Sequence, residues 1–171
     1  MKMSAKLTKI ASYNKNGYTL IEILVGLTII GLLFSFGFVS FRAFSRREAL
    51  TGTLKKIQGD LRLAQAYAFS GQKPDDVKCN TPNTLDGYSF KVYSSTEYKI
   101  EGNCSGGTVE IKDVTYASDV VLSIPSVNPI MFKILGQGTN IPTGETSTFT
   151  LTQSGTNSEL TVTVTSGGEI K

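Results

Sequence analysis

The chain has 171 residues and a net charge of +3, with 17 Lys and Arg against 14 Asp and Glu. It contains no His, no Trp and only 2 Cys, while 40% of its residues are hydrophobic. That hydrophobic fraction excludes a largely disordered chain. The absence of His excludes His-dependent catalytic triads, and two Cys are too few for a four-thiolate zinc site. We therefore expect no enzymatic activity, no catalytic residue, no metal and no cofactor.

The positive charge is concentrated at the N-terminus. Lys2, Lys6, Lys9 and Lys15 lie in the first 17 residues, which contain no acidic residue. Without these four lysines the chain has 13 basic and 14 acidic side chains. In the C-terminal part the lysines are scattered among acids, whereas binding to a nucleic acid needs clustered cations. We therefore do not expect a nucleic-acid partner.

A long uncharged segment follows this basic leader. From Ile23 to Phe41 no residue is charged. Since about 20 apolar residues span a bilayer as a helix, a transmembrane helix is predicted over residues 18–42. The basic leader places the N-terminus in the cytoplasm, although Arg42, Arg46 and Arg47 oppose this orientation. The run is longer than the apolar region of a secretory signal peptide, and no A-x-A-like cleavage site follows it.

Glu22 is an unusual residue for the start of such a segment. A carboxylate at a helix N-terminus is stabilised by the helix dipole, but a charge buried in the bilayer costs about 2.5–3.5 kcal/mol. Acidic residues inside a membrane are therefore candidates for function and need a cationic partner. If the chain were cleaved before Tyr18, the new N-terminal amine would be such a partner, in the same chain or in a neighbouring copy.

These residues resemble the N-terminal signal of a known protein family. Residues Lys15–Glu22 (KNGYTLIE), followed by the apolar run, are similar to the class III signal of type IV pilins and type II secretion pseudopilins. The resemblance implies that prepilin peptidase removes the leader, residues 1–17, by cleaving between Gly17 and Tyr18. The same enzyme would methylate the amine of Tyr18, and Glu22 would act in assembly. Many family members have a Pro late in this helix, whereas this chain has none, so no kink is expected.

The sequence after the uncharged run continues to favour a helix. Apolar residues recur at helical spacing, at Leu50, Leu54, Ile57, Leu61, Ala64 and Ala68. Polar residues, including Asp60 and Gln65, are assigned to the other faces. Gly71 and Pro74 predict the end of the helix. Residues 43–72 are therefore predicted to be the amphipathic half of the same long N-terminal helix, with its apolar stripe packed on a sheet.

Residues 73–171 are predicted to form a globular antiparallel β domain, which makes the whole chain an α+β, pilin-like protein. Short alternating runs are separated by Gly-rich and Asn-rich turns, a pattern typical of antiparallel strands. The predicted strands are Tyr88–Tyr93, Glu97–Glu101, Thr108–Val114, Val120–Ile124, Ile130–Leu135, Thr146–Thr152 and Glu159–Thr165. The last of these has the clearest period of two.

Cys79 and Cys104 both lie in this β domain. One interpretation is two free buried thiols. Export of the domain, as the family resemblance implies, favours a disulfide between them, because the space outside the cytoplasm is oxidising.

The second half of the chain has a further, less specific resemblance. The order of Leu61–Ala68, Ile130–Phe132, Phe149–Leu151, Leu160–Val164 and Gly167–Ile170 is similar to the H-type minor pseudopilins of type II secretion and to FimT-like minor pilins. That family often has an Arg in its last turn, where this chain has Gly167, Gly168 and Glu169. A major pilin is the alternative within the superfamily.

The resemblance implies a structural subunit, a minor pilin or pseudopilin, of a type IV pilus or a type II secretion pseudopilus. Its partners would be other pilin or pseudopilin subunits, prepilin peptidase and the inner-membrane assembly platform. It would be a single-pass protein of the cytoplasmic (inner) membrane with its globular domain outside the cytoplasm, and would enter the filament on assembly. The alternatives are a DNA-binding minor pilin for DNA uptake and a single-pass anchor for an extracytoplasmic binding domain.

Overall fold

A computed structural model of the chain describes residues 17–116 and 118–171. Within these ranges it contains one α-helix, α1 (Leu20–Ser70), a 3₁₀ turn (Ile134–Gly136) and seven strands. The strands are β1 (Leu85–Ser94), β2 (Glu97–Cys104), β3 (Gly107–Thr115), β4 (Val120–Leu122), β5 (Ile130–Lys133), β6 (Thr146–Gln153) and β7 (Glu159–Thr165). Every predicted strand is confirmed, with ends that differ by a few residues.

The predicted C-terminal end of the helix is also confirmed. The helix ends at Ser70, and Gly71 adopts a φ of 63°, the left-handed conformation that glycine accepts without steric cost. The Gly71 N–H donates to the carbonyl of Ala68, 3.2 Å away, which satisfies one of the last free acceptors of the helix.

The described structure divides between Phe41 and Arg42 into two compact units. In the first unit the apolar side chains of α1 with described positions are mostly exposed. Across the parts of the chain that the structure describes, no helix combines the length and the apolar character needed to cross a membrane. The transmembrane helix predicted over residues 18–42 stays a prediction. The predicted leader, apart from Gly17, lies outside the described residues.

The second unit, Arg42–Lys171, has the α+β architecture expected from the sequence: the helix packs on antiparallel sheets. One sheet has the order β3-β2-β1-β5 and the other the order β4-β6-β7, with neighbouring strands antiparallel. In the first sheet Phe90 lies opposite Ile100 and Val92 opposite Tyr98, so these side chains share the buried face. The alternation predicted for the strands thus produces one buried face.

The core of this unit joins the helix to both sheets. The predicted apolar stripe is confirmed, because Leu50, Ile57, Leu61, Ala64 and Ala68 are buried and Leu54 packs against them from a partly buried position. Phe90 of β1 stacks on Tyr98 of β2 with 4.6 Å between ring centroids. It also meets Phe149 of β6 edge-on at 5.4 Å, which connects the two sheets.

Short segments cover two of the sheet edges. The edge of β5 pairs with residues 138–140, where the Lys133 N–H donates to Gly138 O and the Asn140 N–H to Met131 O. The edge of β7 pairs with the C-terminal residues, because Thr163 and Lys171 exchange backbone hydrogen bonds of 3.0 and 2.9 Å. Since an uncovered edge can pair with another chain, both segments limit aggregation.

The structure contains the expected disulfide between Cys79 and Cys104, which are separated by 25 positions. Cys79 precedes β1, and Cys104 is the last residue of β2, opposite Leu85. The bond attaches the segment between α1 and β1 to the end of the first sheet. Lys78 reinforces this attachment, because its Nζ donates to the carbonyl of Thr108 at a distance of 2.9 Å.

Removal of the disulfide should destabilise the globular unit. For a separation of 25 positions, the chain-entropy argument gives a loss of about 3–4 kcal/mol when Cys79→Ser and Cys104→Ser are combined. Denaturant unfolding of the full chain in detergent would measure the change. Wild-type protein treated with a thiol reductant is the control and should match the double variant. Equal midpoints for oxidised wild type and double variant would contradict a stabilising role.

Candidate functional site

The residues of the predicted cleavage site lie immediately before α1. Gly17, Tyr18 and Thr19 are exposed and precede the first helical residue, Leu20. The Tyr18 residue is 78% exposed. A Cβ placed on Gly17 would meet no described atom within 4 Å. No contact made by the described residues therefore requires glycine at this position.

Thr19 and Glu22 begin the helix. The Glu22 N–H donates both to Thr19 Oγ1, at 3.3 Å, and to Thr19 O, at 3.1 Å. Thr19 is thus the N-cap residue, and Glu22 stands three positions later, where a carboxylate is favoured by the helix dipole. Sequence reasoning singled out Glu22 but missed Thr19. The signal was present in the T-x-x-E spacing of Thr19 and Glu22.

The helix surface around and after Glu22 is largely apolar, and its hydroxyl groups form hydrogen bonds within the helix. Leu20, Ile21 and Ile23 are exposed, so the structure leaves their apolar surface uncovered. The hydroxyls of Thr28 and Ser35 donate to carbonyls of their own helix, Val25 O at 2.8 Å and Gly31 O at 2.9 Å. These hydroxyls need no water, which suits a surface that is covered by lipid or by other helices.

In the second unit, the prediction that Asp60 lies on a polar face of the helix is wrong. The residue is only 6% exposed, because it follows Ile57 by three positions and precedes Ala64 by four, which places it on the buried stripe. Its carboxylate accepts a hydrogen bond of 2.7 Å from the hydroxyl of the buried Tyr98. It also accepts one of 2.6 Å from Lys112 Nζ, which forms an ion pair with it.

The buried contact with Asp60 favours the protonated form of the Tyr98 phenol. Burial and the hydrogen bond to Asp60 both raise the pKa of the Tyr98 phenol above its usual value. The phenol therefore remains a donor over the physiological pH range. Lys112 keeps part of its side chain in solvent, so the charge of Asp60 is compensated without a second fully buried ion.

Gln65 was also predicted to lie on a polar face, away from the sheets, and the structure places it in contact with the β domain instead. It is partly buried, and its Nε2 donates to the carbonyl of Gly168 at 2.8 Å. No sequence pattern predicts this bond, because its partner is 103 positions away. Among the described residues no group of His, Cys, Asp or Glu side chains could hold a metal ion.

The comparisons with known proteins concern the N-terminal site alone. The prokaryotic N-terminal methylation motif matches residues 12–38, which include Gly17, Tyr18 and Glu22. No curated protein and no solved structure matches the chain at a significant level. The chain therefore carries the methylation motif of pilin-type precursors, the class to which type IV pilins and pseudopilins belong. This motif suggests a membrane-anchored precursor.

Removal of the Asp60 carboxylate should weaken the packing of the helix on the first sheet. In Asp60→Ala the buried Tyr98 hydroxyl loses its acceptor, and we expect a loss of about 2–4 kcal/mol in the free energy of unfolding. The control is Lys56→Ala, which removes an exposed charge from the same helix and should change stability by at most about 0.5 kcal/mol. Equal denaturation midpoints for the two variants would show that the Asp60 contacts do not stabilise the fold.

Proposed function

We propose that this chain is a structural subunit, a minor pilin or pseudopilin, of a type IV pilus or a type II secretion pseudopilus. Prepilin peptidase cleaves it between Gly17 and Tyr18 and methylates the new amine. The mature subunit then enters a filament through its N-terminal helix. The observation that carries this proposal is the methylation motif over residues 12–38, whose Gly17 and Tyr18 stand exposed immediately before α1.

The arrangement of the first helical turn suits both processing and assembly. Exposed Gly17 and Tyr18 are accessible to a protease, and Thr19 supplies the cap that lets the helix begin directly after them. Cleavage creates an amine at Tyr18, four residues before Glu22. Between apolar helices the effective dielectric is low, so attraction between the amine of one subunit and Glu22 of its neighbour is stronger than in water.

Glu22 is the residue that would set the axial position of each subunit. An unpaired carboxylate in an apolar environment is costly, so the subunit is stabilised where Glu22 meets the amine of another copy. The exposed side chains of Leu20, Ile21 and Ile23 would be covered by neighbouring helices in the same position. One polar pair within an apolar surface thus specifies the axial register of assembly.

Before assembly, the subunit would be held in the inner membrane by the segment 18–42, with residues 43–171 outside the cytoplasm. The disulfide between Cys79 and Cys104 supports this location, because disulfides persist in oxidising compartments. Its partners would be other pilin or pseudopilin subunits, prepilin peptidase and the inner-membrane assembly platform. Within the superfamily, the order of the C-terminal motifs favours an H-type or FimT-like minor subunit.

Gly17→Val should block cleavage. A branched side chain at Gly17 would obstruct the approach of the protease to the peptide bond, so the variant should accumulate as a full-length precursor, with processing reduced by about tenfold or more. Immunoblots of membranes from cells that contain the peptidase would measure the ratio of precursor to mature protein. The matched control is Gly26→Val, because a Cβ at Gly26 also meets no described atom within 4 Å. Normal processing of Gly17→Val would overturn the cleavage assignment.

Glu22→Ala should leave cleavage intact and reduce incorporation into filaments. Loss of the carboxylate removes the proposed partner of the Tyr18 amine, and a loss of only ~1.4 kcal/mol lowers incorporation about tenfold. Sheared filament fractions, normalised to the mature protein in membranes, would measure the effect. Glu48→Ala, which removes an exposed carboxylate from the same helix, is the control.

The result that would contradict this role is normal incorporation of cleaved Glu22→Ala subunits. Glu22 would then act only in helix capping or in peptidase recognition. Cleavage without any filament in the wild type would instead favour a processed anchor for an extracytoplasmic domain.

A further inference from the structure

The globular unit contains an open groove with an unusual lining, formed between the end of α1, the segment after β5 and the C-terminal turn. Its volume is about 260 Å³. Ala66 and Phe69 of the helix, together with Phe132 of β5, provide its apolar surface. Pockets for drug-sized ligands usually measure about 300–1,000 Å³, so this groove suits the end of a larger chain better than a whole ligand.

Several of the residues that line the groove are glycines, which place no side chain in it. Gly136, Gly138, Gly167 and Gly168 line one side, and Gly138 has a φ of 81°. A Cβ on Gly138 would lie 2.7 Å from Ser166 O, so a side chain cannot be added there without movement of the backbone. Within the described part of the chain, the N–H groups of Gly138 and Gly167 donate no hydrogen bond.

The charge of the groove is of one sign. Arg62 and Lys133 line it, and none of the described residues that line it is acidic. Neither cation forms an ion pair or a side-chain hydrogen bond with another described residue. In contrast, Lys99 on the first sheet has three carboxylates within ion-pair distance.

One exposed apolar side chain lines the groove, and a second belongs to the residue that precedes Gly136 of its lining. Phe69 is 68% exposed, and a Cβ placed on Gly136 would lie 3.4 Å from its ring. The neighbouring Leu135 is 67% exposed and has a φ of 55°, a conformation that a branched side chain rarely adopts. Residues in such sparsely populated backbone conformations cluster at functional sites.

We propose that this groove binds the C-terminal end of a partner peptide, through its terminal carboxylate and an apolar last side chain. Arg62 supplies a planar donor that matches a carboxylate, and the free glycine amides supply backbone donors of the kind that capture chain termini. Phe69, Phe132 and Ala66 contact the apolar side chain. The proposal is independent of cleavage at Gly17 and of assembly through Glu22.

The same lining argues against a nucleic acid as the occupant. Duplex DNA is bound by many cations spread along its backbone, whereas this groove has two cations and an apolar floor. A narrow apolar site with a few hydrogen-bond donors instead matches the C-terminal residue of a peptide, with its carboxylate and one apolar side chain. Tight binding of DNA to this groove would contradict the proposal, so the test includes a DNA duplex.

The test is a fluorescence anisotropy titration of the full chain in detergent micelles. The probe is a fluorescein-labelled pentapeptide, Gly-Ser-Gly-Ser-Leu, with a free C-terminal carboxylate, and the comparison is the same peptide as its C-terminal amide. We expect a Kd of about 0.1–1 mM for the free acid, at least about tenfold lower than that of the amide. A labelled DNA duplex is titrated in parallel.

Two variants separate the contribution of the Arg62 charge from that of the empty volume of the groove. Arg62→Gln removes the guanidinium, and Ala66→Leu fills the groove at an exposed helical position where Leu is well tolerated. Each should weaken binding of the free acid by about tenfold. Lys55→Gln, which removes an exposed cation of the same helix outside the groove, should leave binding unchanged. Thermal unfolding of each variant checks that the fold is retained.

Several results would overturn the proposal. Equal affinity for acid and amide would exclude recognition of the carboxylate, and the absence of binding at several times the expected Kd would exclude the site. Equal losses in Arg62→Gln and Lys55→Gln would indicate non-specific attraction of charge. DNA binding that is lost in Arg62→Gln would assign the groove to phosphate.

Discussion

The fold of residues 42–171 depends on burial of the apolar stripe of α1 under two antiparallel sheets. A sheet with one apolar face is stable only when that face is covered, and the same is true of an amphipathic helix. Ile57, Leu61 and Ala64 are fully buried, and Phe90 and Phe149 connect the two sheets beneath them. Helix and sheets thus stabilise one another, since a helix in water gains most of its stability from such packing.

A stripe of apolar side chains alone would allow the helix to shift along the sheets. Asp60 and Gln65 remove that freedom, because each makes a hydrogen bond with a specific group, Tyr98 Oη and Gly168 O. Moving the helix by one turn, about 5.4 Å, would leave these groups without partners in the interior. We regard the two polar contacts as the elements that select one helix position.

The helix end, the buried stripe, the seven strands and the disulfide could all be predicted from the sequence. The helix end, the stripe and the strands depend on local signals, such as the spacing of Leu50 to Ala68 or the alternation in β7. The disulfide was instead expected from export of the domain, which the family resemblance implies. The burial of Asp60, the bond of Gln65 to Gly168 and the pairing of β5 with residues 138–140 could not, because their partners are distant in sequence. The groove was missed for a related reason: it depends on glycine conformations that only the folded chain reveals.

The N-terminal motif could be identified from the sequence because its signal is contiguous, whereas the roles of its residues stay predictions. Gly17, Tyr18 and Glu22 fall within one short motif, and the structure adds Thr19 as the cap of the helix. Its proposed function would depend on reactions with other molecules: a protease, a methyl donor and neighbouring subunits. The chain itself contributes an accessible peptide bond and a carboxylate one turn into the helix.

The most direct test of this account is the intact mass and N-terminal sequence of the protein recovered from the cell envelope of its native host. We predict a chain that starts at Tyr18, has lost residues 1–17 and carries one methyl group on its terminal amine. A protein that retains Met1 and its leader, in cells with an active prepilin peptidase, would contradict the assignment as a pilin-type subunit.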